Sequence, residues 1–116
     1  MSCDFTKQKE KTLLIKEKSL RHIVPYNEIL WLECDGNIVT VILVGDNTPV
    51  SYTNSLTDIE KCLGEFGFLR INHNKIVNMA YVKRMKSKTR EIILSNDTVL
   101  SVSRRKWQII KVFFDS

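Results

Sequence analysis

Three short segments of the chain concentrate compact polar and basic side chains between apolar runs. They are Asp35–Asn37, Asn72–Lys75 and Ser103–Lys106. Arginine can pair bidentately with guanine O6 and N7, and asparagine with adenine N6 and N7. Lysines and a helix N-terminus bind phosphate groups without reading a base sequence. Taken alone, Arg104 and Arg105 are equally well explained as solvated side chains. Asn72 and Asn74 are better explained by turn chemistry.

Side chains suited to catalysis or metal binding are sparse. The two histidines are His22, in a predicted strand, and His73, in a polar loop. Cys34 and Cys62 fall on the inward faces of a predicted strand and a predicted helix, where cysteine is usually a small core residue. No Cys or His pair has zinc spacing, and no glycine-rich phosphate loop is present. We therefore expect no enzymatic activity, no metal and no cofactor.

Basic charge is concentrated in the second part of the chain. The 116 residues include 18 Lys and Arg against 13 Asp and Glu, a formal net charge of +5. Residues 1–68 hold seven basic and ten acidic side chains, whereas residues 69–116 hold eleven and three. Residues 70–90 contain seven basic residues and no acidic one. Such an imbalance is typical of a polyanion-binding domain, although a solvated basic surface would give the same count.

The apolar pattern that must position these segments is mostly of period two, which indicates β-strands. Asp35-Gly36-Asn37 is the strongest turn signal, because these residue types tolerate a positive φ. Ile76-Val77 is predicted to return to the core after a polar loop. Strands are predicted at the following positions: residues 13–15, 20–24, 29–34, 38–44, 50–53, 68–71, 82–85, 91–94 and 99–102. Lys86-Ser87-Lys88 is predicted to form a basic tip between two of them.

Two segments have helical spacing instead. Leu56, Ile59 and Leu63 share one face of a helix that Asn54 or Ser55 can cap. Ser103 can cap a terminal helix over residues 104–114. Eight or nine short strands with two helices predict a mostly β fold with minor α and mostly antiparallel pairing.

The length and composition predict a single domain. Residues 1–11 are polar and read as a flexible leader or linker remnant, so the folded domain is expected over residues 12–116. No apolar run is long enough to span a bilayer, and no signal peptide is visible. The three cysteines form no paired motif, which favours the reducing cytoplasm. Together these features predict a cytoplasmic protein without membrane contact.

Four motifs in register resemble one known family. The segment from Phe68 to Asn78, Phe-Leu-Arg-Ile-Asn-His-Asn-Lys-Ile-Val-Asn, is similar to the signature of LytTR-type DNA-binding domains. Val102-Ser-Arg-Arg matches the terminal element of that family. Pro25-Tyr-Asn-Glu-Ile-Leu-Trp-Leu-Glu resembles its first buried strand, and Ser55-Leu-Thr-Asp-Ile-Glu resembles its helix. The order and spacing agree over nearly the whole chain.

The resemblance implies an elongated fold of antiparallel sheets with one main helix and a short C-terminal helix. It implies a bacterial transcriptional regulator of a two-component phosphorelay, which binds specific double-stranded DNA by inserting loops into successive major grooves. Base-reading positions carry over to His73, Arg104 and Asn37. The family's phosphate positions fall at Asn74 and Ser103. Charge adds four further candidates for contact with the DNA backbone: Lys75, Lys86, Arg105 and Lys106.

The sequence departs from the family pattern at several of these positions. The usual His is Asn72, the usual Ser is Asn74, and the position of His73 is more often Arg or Asn. The tip that carries Asn37 also holds acidic Asp35. These differences indicate an altered target sequence. The resemblance further implies a homodimer on paired half-sites. Members of the family often carry a receiver domain, so the chain is either a stand-alone regulator or one domain of a longer regulator whose receiver domain lies outside this chain. The alternative hypothesis is a β-rich interaction module that binds a protein or RNA through the same basic face.

Overall fold

A computed structural model describes residues 11–17, 19–45 and 47–115 of the chain. Apart from Lys11, the predicted leader lies outside the described residues. The described part contains ten strands and two α-helices. In chain order these are β1 (Thr12–Glu17), β2 (Leu20–Pro25), β3 (Ile29–Asp35), β4 (Ile38–Leu43), β5 (Val50–Thr53), α1 (Leu56–Leu63), β6 (Phe68–Asn72), β7 (Lys75–Asn78), β8 (Val82–Lys86), β9 (Glu91–Leu94), β10 (Val99–Ser101) and α2 (Arg104–Asp115).

The strands form three antiparallel sheets. β1 and β2 make a two-stranded hairpin, and a five-stranded sheet has the order β5-β4-β3-β7-β6. A three-stranded sheet has the order β10-β9-β8. The molecule measures 46 × 26 × 25 Å along its principal axes, so the body is elongated. The predicted mostly β, antiparallel and elongated fold is confirmed.

The first apolar core lies between α1, the β1–β2 hairpin and one face of the five-stranded sheet. The Oγ of Ser55 accepts a hydrogen bond from the backbone N–H of Asp58 at 3.3 Å, which confirms this residue as the N-cap. Leu56, Ile59 and Leu63 recur at helical spacing, and all three are buried in this core. Burial of this face, more than helix propensity, stabilises so short a helix.

The second core lies between the three-stranded sheet, α2 and the opposite face of β6 and β7. Trp107 and Ile110 of α2 are buried in it. Ile76 of β7 faces the first core, whereas its neighbour Val77 faces the second, because successive strand side chains point to opposite faces. The β6–β7 hairpin therefore packs against both cores, one on each face, and the loop at its end extends from a hairpin that is held on both faces.

The relative lengths of the helices correct one expectation. The helix expected to be the main one, α1, has 8 residues, whereas the C-terminal helix, expected to be short, has 12. The predicted bounds, residues 104–114, differ from the observed helix by one residue.

Candidate nucleic-acid interface

The three polar segments lie side by side in the fold. The backbone N–H of Cys34, which precedes the β3–β4 tip, donates to the carbonyl of Asn74 at 3.0 Å. The N–H of Ser103, which precedes α2, donates to the carbonyl of Ile71 at 2.8 Å. The β6–β7 loop therefore sits between the β3–β4 tip on one side and the start of α2 on the other.

The β6–β7 loop is organised by the side chain of Asn72. Its Oδ1 accepts from the backbone N–H of Asn74 at 3.0 Å, and its Nδ2 donates to the carbonyl of Ser101 at 2.9 Å. The first contact is the turn chemistry expected of an asparagine here. The second ties the loop to β10. His73, at the apex of the loop, is exposed.

The start of α2 presents its basic side chains outward. The Oγ of Ser103 accepts from the N–H of Lys106 at 3.2 Å, so the predicted N-cap is confirmed. Arg104 and Arg105 are exposed, and Lys106 is half-buried. The hydroxyl of the serine thus satisfies one N–H of the helix start, while both guanidinium groups stay accessible to an anion.

A groove of about 570 Å³ separates this helix start from the β6–β7 loop. Its lining residues are Glu60, Arg70, Asn72, His73, Ser103, Arg105 and Lys106. Four of the candidate DNA-contacting residues therefore share one concave surface. Arg104 is not among the residues that line it, although it adjoins Ser103 in the chain.

The remaining loop residues face the β3–β4 tip. Gly36 has a φ of +66°, as the turn prediction required, and Asn37 beside it is exposed. A second groove of about 480 Å³ is lined by Asn74 and Lys75 together with residues of β3, β4 and the tip. The structure thus places His73 toward α2, and Asn74 and Lys75 toward the tip.

Lys86 lies on the three-stranded sheet, close to the segment that leads into α2. Lys86 pairs with Glu91, which pairs with Ser101, so these residues form one row across the sheet. The backbone N–H of Val102 also donates to the carbonyl of Arg90 at 2.9 Å. The basic tip between β8 and β9 therefore adjoins the segment that leads into α2.

Three of the seven basic residues between positions 70 and 90 are already paired with carboxylates. Arg70 contacts Glu60 at 3.1 Å, and Lys75 lies 4.0 Å from Glu33. Lys83 contacts Asp97 at 2.7 Å. The hydrogen bond from Lys83, and its charge, lower the pKa of the Asp97 carboxyl. The charge free for an external anion is consequently smaller than the sequence count indicates.

Arg70 is the residue whose importance the sequence analysis missed. Its guanidinium donates to Thr57 and Glu60 of α1 and to the backbone carbonyl of His73. In the sequence, only its place in the family signature pointed to Arg70. Its contacts could not be predicted, because its acidic partner Glu60 is ten positions away in the chain.

Neither a metal centre nor a membrane-spanning helix is found among the described residues. No group of three or more His, Cys, Asp or Glu side chains could hold a metal ion there. No helix in the same ranges is both long and apolar enough to cross a membrane.

Comparisons with known proteins agree on one family. The family model described as "LytTr DNA-binding domain" matches residues 19–114. Transcriptional regulatory protein NatR of Bacillus subtilis (strain 168) is 30% identical over 91 residues, which cover 74% of this chain and 38% of NatR. A solved structure, described as the LytTr DNA-binding domain of a methyl-accepting/DNA response regulator from Bacillus cereus, superposes with a TM-score of 0.76 at 18% identity, covering 91% of this chain and 98% of that one. The chain belongs to the LytTr DNA-binding domain family.

Proposed function

We propose that this domain binds a specific double-stranded DNA sequence by inserting the β3–β4 tip, the β6–β7 loop and the start of α2 into successive major grooves. The observation that carries the proposal is the adjacency of these three segments, joined by the Cys34–Asn74 and Ser103–Ile71 backbone hydrogen bonds. Each segment exposes one candidate base-reading side chain: Asn37, His73 and Arg104.

Base reading falls to the three exposed side chains. Arg104 presents a guanidinium fork suited to guanine, and Asn37 presents an amide suited to adenine. His73 presents an imidazole, which can donate or accept a hydrogen bond at a base edge. These residues stand on turns and on a helix start whose backbones are hydrogen-bonded to neighbouring strands, so their positions are held before DNA arrives.

Contacts with the DNA backbone supply most of the affinity in this proposal. Six residues around the three segments provide these contacts: Asn74, Lys75, Lys86, Ser103, Arg105 and Lys106. Lys75 is only loosely paired with Glu33, at 4.0 Å, so a phosphate can replace that carboxylate as its partner.

The relatives support a proposal for the biological setting. NatR is a transcriptional regulatory protein, and the structural neighbour is part of a response regulator. We infer that this domain regulates transcription in the cytoplasm within a phosphorelay, with a receiver domain supplied outside this chain. We also infer that two copies bind paired half-sites.

Selection from a pool of random duplex oligonucleotides tests the proposal. We expect one enriched motif, with two copies at a fixed spacing if two domains bind together. Affinity for that motif should fall steeply with salt, because phosphate contacts release counterions. If no duplex sequence is enriched while an RNA or a protein is captured, the domain is an interaction module of another kind.

A further inference from the structure

Arg70 connects helix α1 to the loop that carries His73. Its Nη1 donates to the Oγ1 of Thr57 at 3.0 Å and to the Oε1 of Glu60 at 3.1 Å. Its Nη2 donates to the backbone carbonyl of His73. Only 19% of the Arg70 side chain is exposed, so the guanidinium is largely enclosed by these partners.

The geometry of α1 suits this connection. Thr57 and Glu60 are three positions apart, so they lie on the same face of the helix. A planar guanidinium has several fixed donors and can hold two acceptors on α1 and one on the loop at once, which an ammonium group cannot do with the same geometry. The carbonyl of His73 is thereby held from one side, while Asn72 ties the other side of the loop to β10.

The charge of Glu60 makes this arrangement unusual for a DNA-binding surface. Glu60 lines the groove between the loop and α2, where a carboxylate repels phosphate. Electrostatics alone therefore predicts that removing this carboxylate strengthens DNA binding. A role in holding Arg70 predicts the opposite result for the preferred DNA sequence.

We propose that Arg70 is a positioning residue for DNA recognition: Thr57 and Glu60 hold its guanidinium on α1, and it fixes the backbone of the loop that presents His73. Arg70 itself contacts no DNA. The proposal rests on the proposed function, since it concerns how the same surface acquires sequence preference.

Glu60→Ala provides the first test, with Glu65→Ala as the matched control. Glu65 is exposed and precedes β6, at the end of that strand remote from the loop. Both substitutions remove one negative charge. Dissociation constants are measured for the selected duplex and for a random duplex.

We expect Glu60→Ala to weaken binding to the selected duplex by about tenfold, which corresponds to the loss of one charge-assisted hydrogen bond. Binding to the random duplex should not weaken, and Glu65→Ala should weaken neither. Equal or tighter binding of Glu60→Ala to the selected duplex would overturn the proposal.

Arg70→Lys and Arg70→Gln provide the second test. Arg70→Lys keeps the positive charge but loses the fork, so it should lose sequence preference. In Arg70→Gln, the slope of log affinity against log salt on random DNA should match that of the wild type. A slope reduced by about one unit would show that Arg70 contacts a phosphate, and would refute the proposal. Thermal unfolding monitors the fold. If either variant unfolds, Thr57→Val, which alters an exposed residue and removes one of the three hydrogen bonds, repeats the affinity comparison.

Amide hydrogen exchange in the free protein separates this proposal from the proposed function. Glu60→Ala should accelerate exchange at residues 73–75, and Glu65→Ala should not. If the wild type enriches no DNA sequence while this difference is observed, the proposed function fails and the positioning role stands. If a DNA sequence is enriched but exchange and sequence preference are unchanged in Glu60→Ala, the positioning role fails alone.

Discussion

The Nδ2 of Asn72 donates a hydrogen bond to the backbone carbonyl of Ser101, 2.9 Å away. Asn72 ends β6 of the five-stranded sheet, and Ser101 ends β10 of the three-stranded sheet. The contact therefore joins the two sheets where the β6–β7 loop and the start of α2 come together. The Oδ1 of the same side chain accepts a hydrogen bond from the N–H of Asn74, so both polar atoms of the amide are hydrogen-bonded within the protein.

Replacing Asn72 by Ala should loosen this junction. We expect a loss of about 1–2 kcal/mol in the free energy of unfolding, measured by urea denaturation, because the side chain makes two hydrogen bonds. Affinity for the selected duplex should fall more than affinity for random DNA. Asn96→Ala is the control, because the side chain of Asn96 accepts a hydrogen bond from the N–H of Thr98, at 3.1 Å, within a single turn. Equal effects of the two variants on DNA preference would contradict the role assigned to Asn72.

Arg104→Ala should relax the sequence preference at one base pair. The loss of a bidentate contact with a base should cost about 1–3 kcal/mol on the selected duplex. Mobility-shift titrations on the selected duplex and on single-base variants measure this cost. Arg21→Ala makes the same substitution on β2, outside the three segments, and should leave the preference intact. Equal losses on selected and random DNA would show that Arg104 contacts only the DNA backbone.

Lys86→Ala should weaken binding to every sequence alike. Removing one phosphate contact should flatten the dependence of log affinity on log salt by about one unit. Fluorescence anisotropy at several salt concentrations measures the slope. Lys83→Ala is the matched control on the same strand, because its ammonium is paired with Asp97 at 2.7 Å. An unchanged slope in Lys86→Ala would remove this residue from the interface.

Asn78 has a structural role, and its replacement should lower stability. The residue is 5% exposed, and its Nδ2 donates to the carbonyl of Ile29 at 2.9 Å. Its Oδ1 accepts from the N–H of Ala80 at 3.0 Å. Asn78→Ala leaves these buried backbone groups without the side chain, and should cost about 2–3 kcal/mol in urea denaturation. The exposed Asn47→Ala serves as the control, and a cost below that control would contradict the assignment.

Tyr52 should make the protein sensitive to alkaline pH. Burial raises the pKa of its phenol above the ordinary value, because the charged form is disfavoured away from water. The difference between the two pKa values contributes to the free energy of unfolding. This contribution is fully present below the pKa of the unfolded state, which is about 10, and is lost as pH rises through the higher pKa of the folded state. Tyr52→Phe should reduce this alkaline loss in urea denaturation between pH 8 and 11, while stability at pH 8 changes by within about 1 kcal/mol. An identical alkaline loss in the variant would contradict the prediction.

Local patterns in the sequence predicted most of the elements. Alternating apolar residues specify strands, and the turn at Gly36 and the caps at Ser55 and Ser103 depend on residues within a few positions of each other. These interactions are short-ranged, so they can be recognised from neighbouring residues. The same reasoning indicated the three polar segments and the mostly β fold.

Tertiary structure decided how those segments meet and which charges remain available. The pairing of β3 with β7 brings the β3–β4 tip beside the β6–β7 loop, although they are about forty residues apart in the sequence. The contacts of Arg70 with Glu60 and with the His73 carbonyl likewise depend on packing between distant parts of the chain. Long-range pairing is specified by the complementarity of whole faces, which no single stretch of sequence contains.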